Sequence, residues 1–298
     1  MFEINRIIDT DSYKASHFLQ YPPNTTLVHS YLESRGSERN YSETVFFGLQ
    51  YLLKRYFTRP FTKENVIEAN EVITAHGEPF NLAGWTRLIE KPNGKLPLRV
   101  RAVAEGSIVP TRNVLMTVEN TDDEFFWLTG WFESQFMRIW YPITVATQSY
   151  YIKRDVYQFL QETADDPDAE IGFKVHDFGS RGVSSQETAA IGGAAHLVNF
   201  FGSDTMASLL IHRKFYNCEM AGFSIPAAEH STITSWGREN EIEAYRNILK
   251  HFAKPNLFVA VVSDSWNIYE AVEKIWGEQL KQEVIDSGAT IVIRPDSG

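Results

Sequence analysis

The stretch IGFKVHDFGSRGVSSQETAAIGGAAHLVNFFGSDT (171–205) carries the strongest local signal in the chain. A strand-like run, Phe173 to Asp177, breaks at Phe178-Gly179-Ser180-Arg181-Gly182, and a helical pattern restarts at Ser184. Ser184 with Glu187 three residues on has the form of a capping box, which predicts the helix start there. Two glycines flanking an arginine between a strand end and a helix N-terminus offer backbone N–H groups, a positive dipole end and a guanidinium. Those groups suit an anion such as phosphate or carboxylate. The same residues also make an ordinary tight βα turn with Arg181 in solvent, and the stretch alone leaves both readings open.

Outward from this stretch the pattern repeats. Strand-like runs end near Asp177, Asp204, His230, Asp264 and Asp296, with helical segments between them. The clearest helix sets Ile242, Tyr245, Leu249 and Phe252 on one face, and Ile268, Val272 and Ile275 mark another. Strands alternating with helices predict parallel βα units. Each strand ends in polar residues: His176-Asp177, Ser203-Asp204, Glu229-His230, Ser263-Asp264 and Arg294-Pro295-Asp296. In a (β/α) barrel the carboxyl ends of the strands form the active face, so this recurrence points to an enzyme. About five units can be placed, whereas closure takes about eight strands. The expected barrel is therefore incomplete in this chain.

Towards the N-terminus the acidic stretch Ala164-Asp165-Asp166-Pro167-Asp168 marks a boundary. Before it, Asp11 is expected to cap a short helix over Ser12-Tyr13-Lys14, and Thr26–Arg35 alternates as a strand. Helical spacing links Phe46, Leu49, Leu53 and Tyr56, then Val66, Ala69 and Ile73 with Thr62 as cap, then Leu82, Trp85 and Ile89. Leu98, Val100 and Ala102 alternate with Arg99 and Arg101, and Val114, Met116 and Val118 form a second half-buried strand. Phe125–Tyr141 holds eight aromatics, more than one face of a surface helix can carry, which predicts core packing or a dimer interface. The fold class is thus α/β: an α+β N-terminal domain, 1–165, followed by the first part of an irregular (β/α) barrel, 166–298.

Composition narrows the function classes. The chain has 298 residues, 43% hydrophobic, with a net charge of −10 and no basic run. Generic binding to nucleic acid or to an anionic membrane needs a Lys/Arg field and is not expected. No apolar leader or run of about 20 apolar residues is visible. The single cysteine, Cys218, excludes an intramolecular disulfide and fits a reducing cytoplasm.

Seven segments together carry a more specific signal: TDSYKASHFLQYPPNT (10–25), ETVFFGLQYLL (43–53), WYPITVATQS (140–149), HDFGSRGVSSQETAAIG (176–192), PAAEHSTITSWG (226–237), SDSWNIYEAVEKIWG (263–277) and IRPDSG (293–298). In order and nearly end to end, they closely resemble the nicotinamide phosphoribosyltransferases of the type II phosphoribosyltransferase family. The resemblance implies transfer of phosphoribosyl from phosphoribosyl diphosphate to nicotinamide in NAD salvage, giving nicotinamide mononucleotide and diphosphate. It also implies Mg²⁺, coupled ATP hydrolysis, and a homodimer with shared active sites.

Residue by residue, the resemblance implies that Phe178 stacks on the pyridine ring, with Tyr13 of the second subunit on its other face. Asp204 would accept the carboxamide NH₂. A carboxylate there also has its own physical logic, since it would repel the carboxylate of nicotinate. Arg181 would touch the carbonyl or phosphate side, and Arg294 the phosphoribosyl diphosphate. Asp296 and its neighbour Asp264 would face the ribose, where carboxylates stabilise the positive charge that grows at the anomeric carbon. His230 would be the residue phosphorylated from ATP, its tautomer fixed by Glu229 or Asp264, and His176 would stand behind the site. No residue is assigned as a protein-held metal ligand.

Two departures stand out. Ser180 occupies a position where animal members carry an aromatic. The later barrel strands and the glycine-rich phosphate loop of the family have no counterpart here, so the chain is expected to be a fragment, inactive alone. Competing readings are a nicotinate phosphoribosyltransferase, a non-catalytic dimerising half, and a metal-dependent hydrolase using His176, His230 and Asp264. The last lacks the His-x-His pair with which such sites commonly begin.

Overall fold

The computed structural model describes residues 4–36 and 39–296. Ser297 and Gly298, which close the IRPDSG motif, lie outside the described residues. The chain divides into two compact units, Met1–Phe223 and Ser224–Gly298. The boundary expected after residue 165 falls inside the first unit, at the turn leading to a short helix, Pro167–Glu170, capped by Asp166.

Unit 1 opens with a 3-10 helix over Ser12–Leu19. Asp11 makes no capping bond there; its carboxylate instead accepts the Ser134 hydroxyl, a correction to the expected cap. β1 (His29–Glu33), β5 (Val114–Asn120) and β3 (Leu98–Ala102) form an antiparallel sheet in the order β1-β5-β3. β2 (Glu43–Val45) pairs with β4 (Ile108–Pro110). Alternation along β5 buries Met116, Val118 and Asn120 and leaves Glu119 on the other face, beside Arg99 and Arg101 of β3. Both guanidiniums donate to Glu119, at 2.9 and 3.1 Å, and with His29 they hold its carboxyl down at about 2.

α1 (Lys63–His76) starts on Thr62 as expected: the hydroxyl accepts from Asn65 N, and the Asn65 side chain returns the bond. It stops at Gly77, whose φ of +100° suits a residue without Cβ. α2 (Leu82–Glu90) starts on Asn81. The expected helix through Phe46, Leu49, Leu53 and Tyr56 is shorter and irregular, an α-turn at Leu49–Leu52 running into a π-helix at Leu53–Phe57.

The aromatic segment lies mainly in the core. Phe125, Trp127, Trp131, Phe132 and Phe136 are buried around Trp85 of α2, which is fully buried. Trp85 meets Trp127 and Trp131 edge-on at 5.0 and 5.3 Å, the arrangement that ring quadrupoles favour. The 24-residue helix α3 (Trp140–Thr163) follows and packs on α4 (Gln186–His196). α4 begins one residue later than expected. Ser185, not Ser184, accepts from Thr188 N at 3.1 Å.

The βα rhythm is present in short form. β6 is only His176–Asp177, because Ile171–Phe173 turns as a 3-10 helix. β6 runs parallel to β7 (Gly202–Ser203), which bridges in parallel to Phe223, and α5 (Met206–Phe215) follows β7. Unit 2 repeats the pattern. Ala227 bridges in parallel to β8 (Phe258–Val262), and β8 pairs in parallel with β9 (Thr290–Arg294). α6 (Glu241–Phe252) and α7 (Lys281–Ser287) belong to the same unit, with a π-helix at Ala271–Gln279. Tyr245 of α6 stacks on Trp276 at 4.7 Å and anchors the core of this unit. Among the described residues the parallel strands form no closed barrel, as expected of an incomplete one.

Candidate active site

The ionisable residues predicted at strand ends gather into two clusters, one in each unit. In unit 1 the centre is the end of β6. His176 Nε2 lies 2.8 Å from Asp204 Oδ1, just beyond β7, and Asp204 N donates to Asp177 O at 2.9 Å. The parallel register His176↔Gly202, Asp177↔Ser203 brings these residues together. Gly202 is required by this contact: a Cβ there would meet the His176 ring at 2.5 Å. Phe178 packs beside that ring, centroids 4.7 Å apart and planes at 37°, and keeps about half of its surface, 53%, exposed. His176 therefore touches two of the predicted base-binding residues, Asp204 and Phe178.

Asp177 was read from the sequence only as a strand end, yet it fixes the loop. Its Oδ1 accepts Gly179 N at 2.9 Å and its Oδ2 accepts the Ser203 hydroxyl at 3.1 Å. The first bond is an Asx-turn, so the signal was present in Asp-Phe-Gly. Gly193 of α4 lets the helix approach the same carboxylate, since a Cβ there would lie 2.9 Å from Oδ2. Burial, with the Asp177 charge as a second cause, raises the Tyr141 phenol. Arg181 lies exposed in the 3-10 turn Gly179–Gly182 and makes no hydrogen bond or ion pair among the described residues. Tyr13 is also exposed, at 55%, edge-on to His17. The N-cap residue of α5 is Thr205, whose side chain makes no capping bond.

In unit 2 the predicted trio is assembled. His230 Nε2 lies 3.0 Å from Asp264 Oδ1, and His230 Nδ1 lies 3.8 Å from Asp296 Oδ2. Asp264, its side chain 8% exposed, also accepts Asp296 N at 2.8 Å through Oδ2. Of the two residues that could orient His230, the contact is made by Asp264. Glu229 turns away and takes the Ser231 hydroxyl. Arg294 donates to Ala228 O at 3.1 Å and stands 3.5 Å from Asp296 Oδ1, so its guanidinium bridges two strand ends.

Among the described residues no group of three or more His, Cys, Asp or Glu could hold a metal ion, and no helix is long and apolar enough to cross a membrane. Within its own unit, each pairing of a histidine with a carboxylate has its own chemistry: the unit 1 cluster can orient a flat amide-bearing ring, and the unit 2 cluster a cationic or phosphorylated group.

Comparison with known proteins finds relatives for both parts of the chain. The family model described as "Nicotinamide phosphoribosyltransferase, N-terminal domain" matches residues 5–100, and the model of the "Nicotinate phosphoribosyltransferase (NAPRTase) family" matches residues 173–298. The chain is 56% identical over 294 residues to a nicotinamide phosphoribosyltransferase of Xanthomonas campestris pv. campestris, covering 99% of this chain and 62% of the relative. It is 30% identical over 319 residues to one of Acinetobacter baylyi, covering 100% of this chain and 63% of that protein. The chain thus spans somewhat under two thirds of the length of these relatives. Among solved structures, human nicotinic acid phosphoribosyltransferase aligns with a TM-score of 0.64 at 14% identity, covering 97% of this chain and 61% of that one. Nicotinate-nucleotide pyrophosphorylase from Pyrococcus furiosus aligns at 0.62 and 15% identity, covering 100% and 60%. At such identities the structural matches establish the fold. Matched by two family models over residues 5–100 and 173–298, the chain is similar along nearly its whole length to bacterial nicotinamide phosphoribosyltransferases.

Proposed function

We propose that this chain forms part of a nicotinamide phosphoribosyltransferase, which joins nicotinamide to the phosphoribosyl group of phosphoribosyl diphosphate and releases diphosphate. The observation that carries the choice of base is the carboxylate of Asp204 at the rim beside Phe178, joined to His176 at 2.8 Å. A ring stacked on Phe178 would present its substituent to an acceptor. An amide can donate to Asp204, whereas a nicotinate carboxylate would meet a like charge. Arg181, exposed in the same loop, would take the amide oxygen or the phosphate side. Tyr13 of a second copy of the chain would cover the other face of the ring in a homodimer.

On unit 2, Asp264 and Asp296 would face the ribose. As the bond from the anomeric carbon to the diphosphate oxygen breaks, positive charge develops on the ribose, and carboxylates held in place beforehand stabilise it. The base nitrogen then bonds the anomeric carbon and the diphosphate leaves with the electron pair. Arg294, fixed by Ala228 O, would bind the diphosphate side.

His230 would take the γ-phosphoryl group of ATP. Asp264 accepts from Nε2–H in the tautomer that leaves the lone pair on Nδ1. Nδ1 would bond phosphorus as the bond to ADP breaks.

Mg²⁺ fits as a substrate-borne ion. It keeps several waters and is held through one or two carboxylates together with phosphate oxygens. Asp264 and Asp296 would supply such hard oxygens, and among the described residues no group of three or more His, Cys, Asp or Glu could hold the ion alone. The ion would neutralise diphosphate charge on departure.

The test uses the full-length protein with nicotinamide, phosphoribosyl diphosphate, Mg²⁺ and γ-labelled ATP. Nicotinamide mononucleotide, diphosphate and an acid-labile phosphoprotein are expected. His230→Ala should lose the label and the ATP stimulation but retain a reduced ATP-independent transfer. Labelling that survives the substitution would remove His230 from the role.

A further inference from the structure

Glu187 was assigned in sequence to a capping box, yet the structure uses it elsewhere. Its Oε1 accepts the Tyr51 hydroxyl at 2.6 Å and the Tyr56 hydroxyl as well. Tyr51 and Tyr56 are five residues apart. On a regular α-helix, at about 100° per residue, they would point about 140° apart and could not share one oxygen. The chain here leaves the α-turn Leu49–Leu52 for a π-helix at Leu53–Phe57. A π turn bonds residues five apart and brings their side chains over one another, and such turns recur at functional sites. The irregular turn is what lets both phenols converge on Glu187.

The position of Glu187 matters because of what precedes it. It lies in the first turn of α4, directly after the segment that carries Phe178 and Arg181. Ser180, Arg181 and Ser184 make no side-chain hydrogen bond among the described residues. The segment is therefore held by its ends. One end is the Asx-turn from Asp177 to Gly179 N. The other is the start of α4, where Ser185 caps Thr188 N and Glu187 is held by the two tyrosines. A cavity of about 630 Å³, lined by Tyr51, Tyr56, Arg138, Tyr141 and Glu187 among others, adjoins this junction, so packing alone does not fill it. Arg138, paired in bidentate fashion with Asp9, lines the same cavity. Burial, together with the hydrogen bond to Glu187, pushes both phenols well above their usual range, so they remain donors through neutral pH.

We infer that Tyr51, Tyr56 and Glu187 form a clamp that sets the position of the 178–184 segment, acting as positioning residues for the base-binding Phe178 and Arg181. The role in base binding rests on the proposed function; the clamp itself rests on the geometry. Freed from the tyrosines, the first turn of α4 frays and the segment samples positions in which Phe178 no longer meets the ring.

Two readouts on the full-length protein separate these claims. In amide hydrogen exchange, Tyr56→Phe and the double variant Tyr51→Phe/Tyr56→Phe should speed exchange across 179–188 at least about threefold, with the strands β1, β5 and β3 unchanged. Unchanged exchange in the double variant overturns the clamp. In kinetics, the same variants should raise KM for nicotinamide about fivefold or more and leave KM for phosphoribosyl diphosphate within about twofold. Glu187→Ala should do the same, and Glu187→Gln, which keeps an acceptor oxygen, should restore part of the loss. A general loss of folding would instead lower activity without splitting the two KM values, and that result also overturns the inference. Faster exchange in a protein whose wild type turns over neither nicotinamide nor nicotinate would leave the clamp standing and reject the substrate assignment.

Discussion

Asp204 and His176 form one unit rather than two separate contributors. The histidine shares a 2.8 Å contact with the carboxylate and packs on Phe178, so it fixes both the proposed amide acceptor and the proposed ring platform. Removing the charge at Asp204 while keeping its shape isolates the discrimination step. Asp204→Asn should lower the preference for nicotinamide over nicotinate by about tenfold, equivalent to about 1.4 kcal/mol, read as the ratio of kcat/KM values. An unchanged ratio would take base selection away from this residue. The sequence made Asp204, His230, Asp264 and Asp296 legible because strand ends concentrate polar side chains, whereas Phe178 was legible only through the family resemblance. It left the partner of His230 open between Glu229 and Asp264. That choice depends on the parallel register of strands far apart in sequence, which local pattern does not encode.

At the scale of elements, the βα turn after β6 is built from close approaches. Gly202 faces the His176 ring, and Gly193 faces Asp177. Gly202→Ala would drive a Cβ to 2.5 Å from the imidazole, which can yield only by abandoning Asp204. The expected outcome is a loss of about 1–3 kcal/mol by chemical denaturation, as for other overpacked sites, with weakened base binding. Ser185→Ala should cost about 1 kcal/mol through the lost cap, while Ser184→Ala should be nearly silent. The pair tests the one-residue displacement of the helix start. Ser184 and Ser185 are equally good caps in sequence. The decision falls to Glu187, which the tyrosines draw away from the capping box. A local motif was overruled by two phenols more than 130 residues away in sequence.

For the whole molecule, the halves differ in how far sequence reached. The N-terminal elements were legible from alternation and caps, as at Thr62 and along β3 and β5, since each buries one face against a large aromatic core. The short strands β6 and β7, with two residues each, fall below what periodicity can resolve, and only their polar ends announced them. Acid should expose a further property of unit 1. His196 and His212 are buried, their carbonyl contacts being Val175 O at 3.3 Å and Ala194 O at 3.0 Å, and burial lowers both below the usual histidine range. Their unfolded pKa, about 6.5, is therefore above the folded one. The folded state is fully favoured above about pH 6.5 and loses stability as pH falls through the folded values, because the unfolded chain binds the protons first. Denaturant midpoints measured from pH 7 to pH 5 should fall, and His196→Asn should reduce that fall. A pH-independent midpoint would contradict the buried neutral histidines.

The assignment as a whole turns on which base is joined to the phosphoribosyl group. The most direct measurement is diphosphate release by the full-length protein with phosphoribosyl diphosphate and Mg²⁺, comparing nicotinamide with nicotinate at equal concentration, for wild type and Asp204→Asn. A wild-type preference for nicotinamide that shrinks in the variant is predicted. A wild-type preference for nicotinate, or release that responds to neither base, would contradict it.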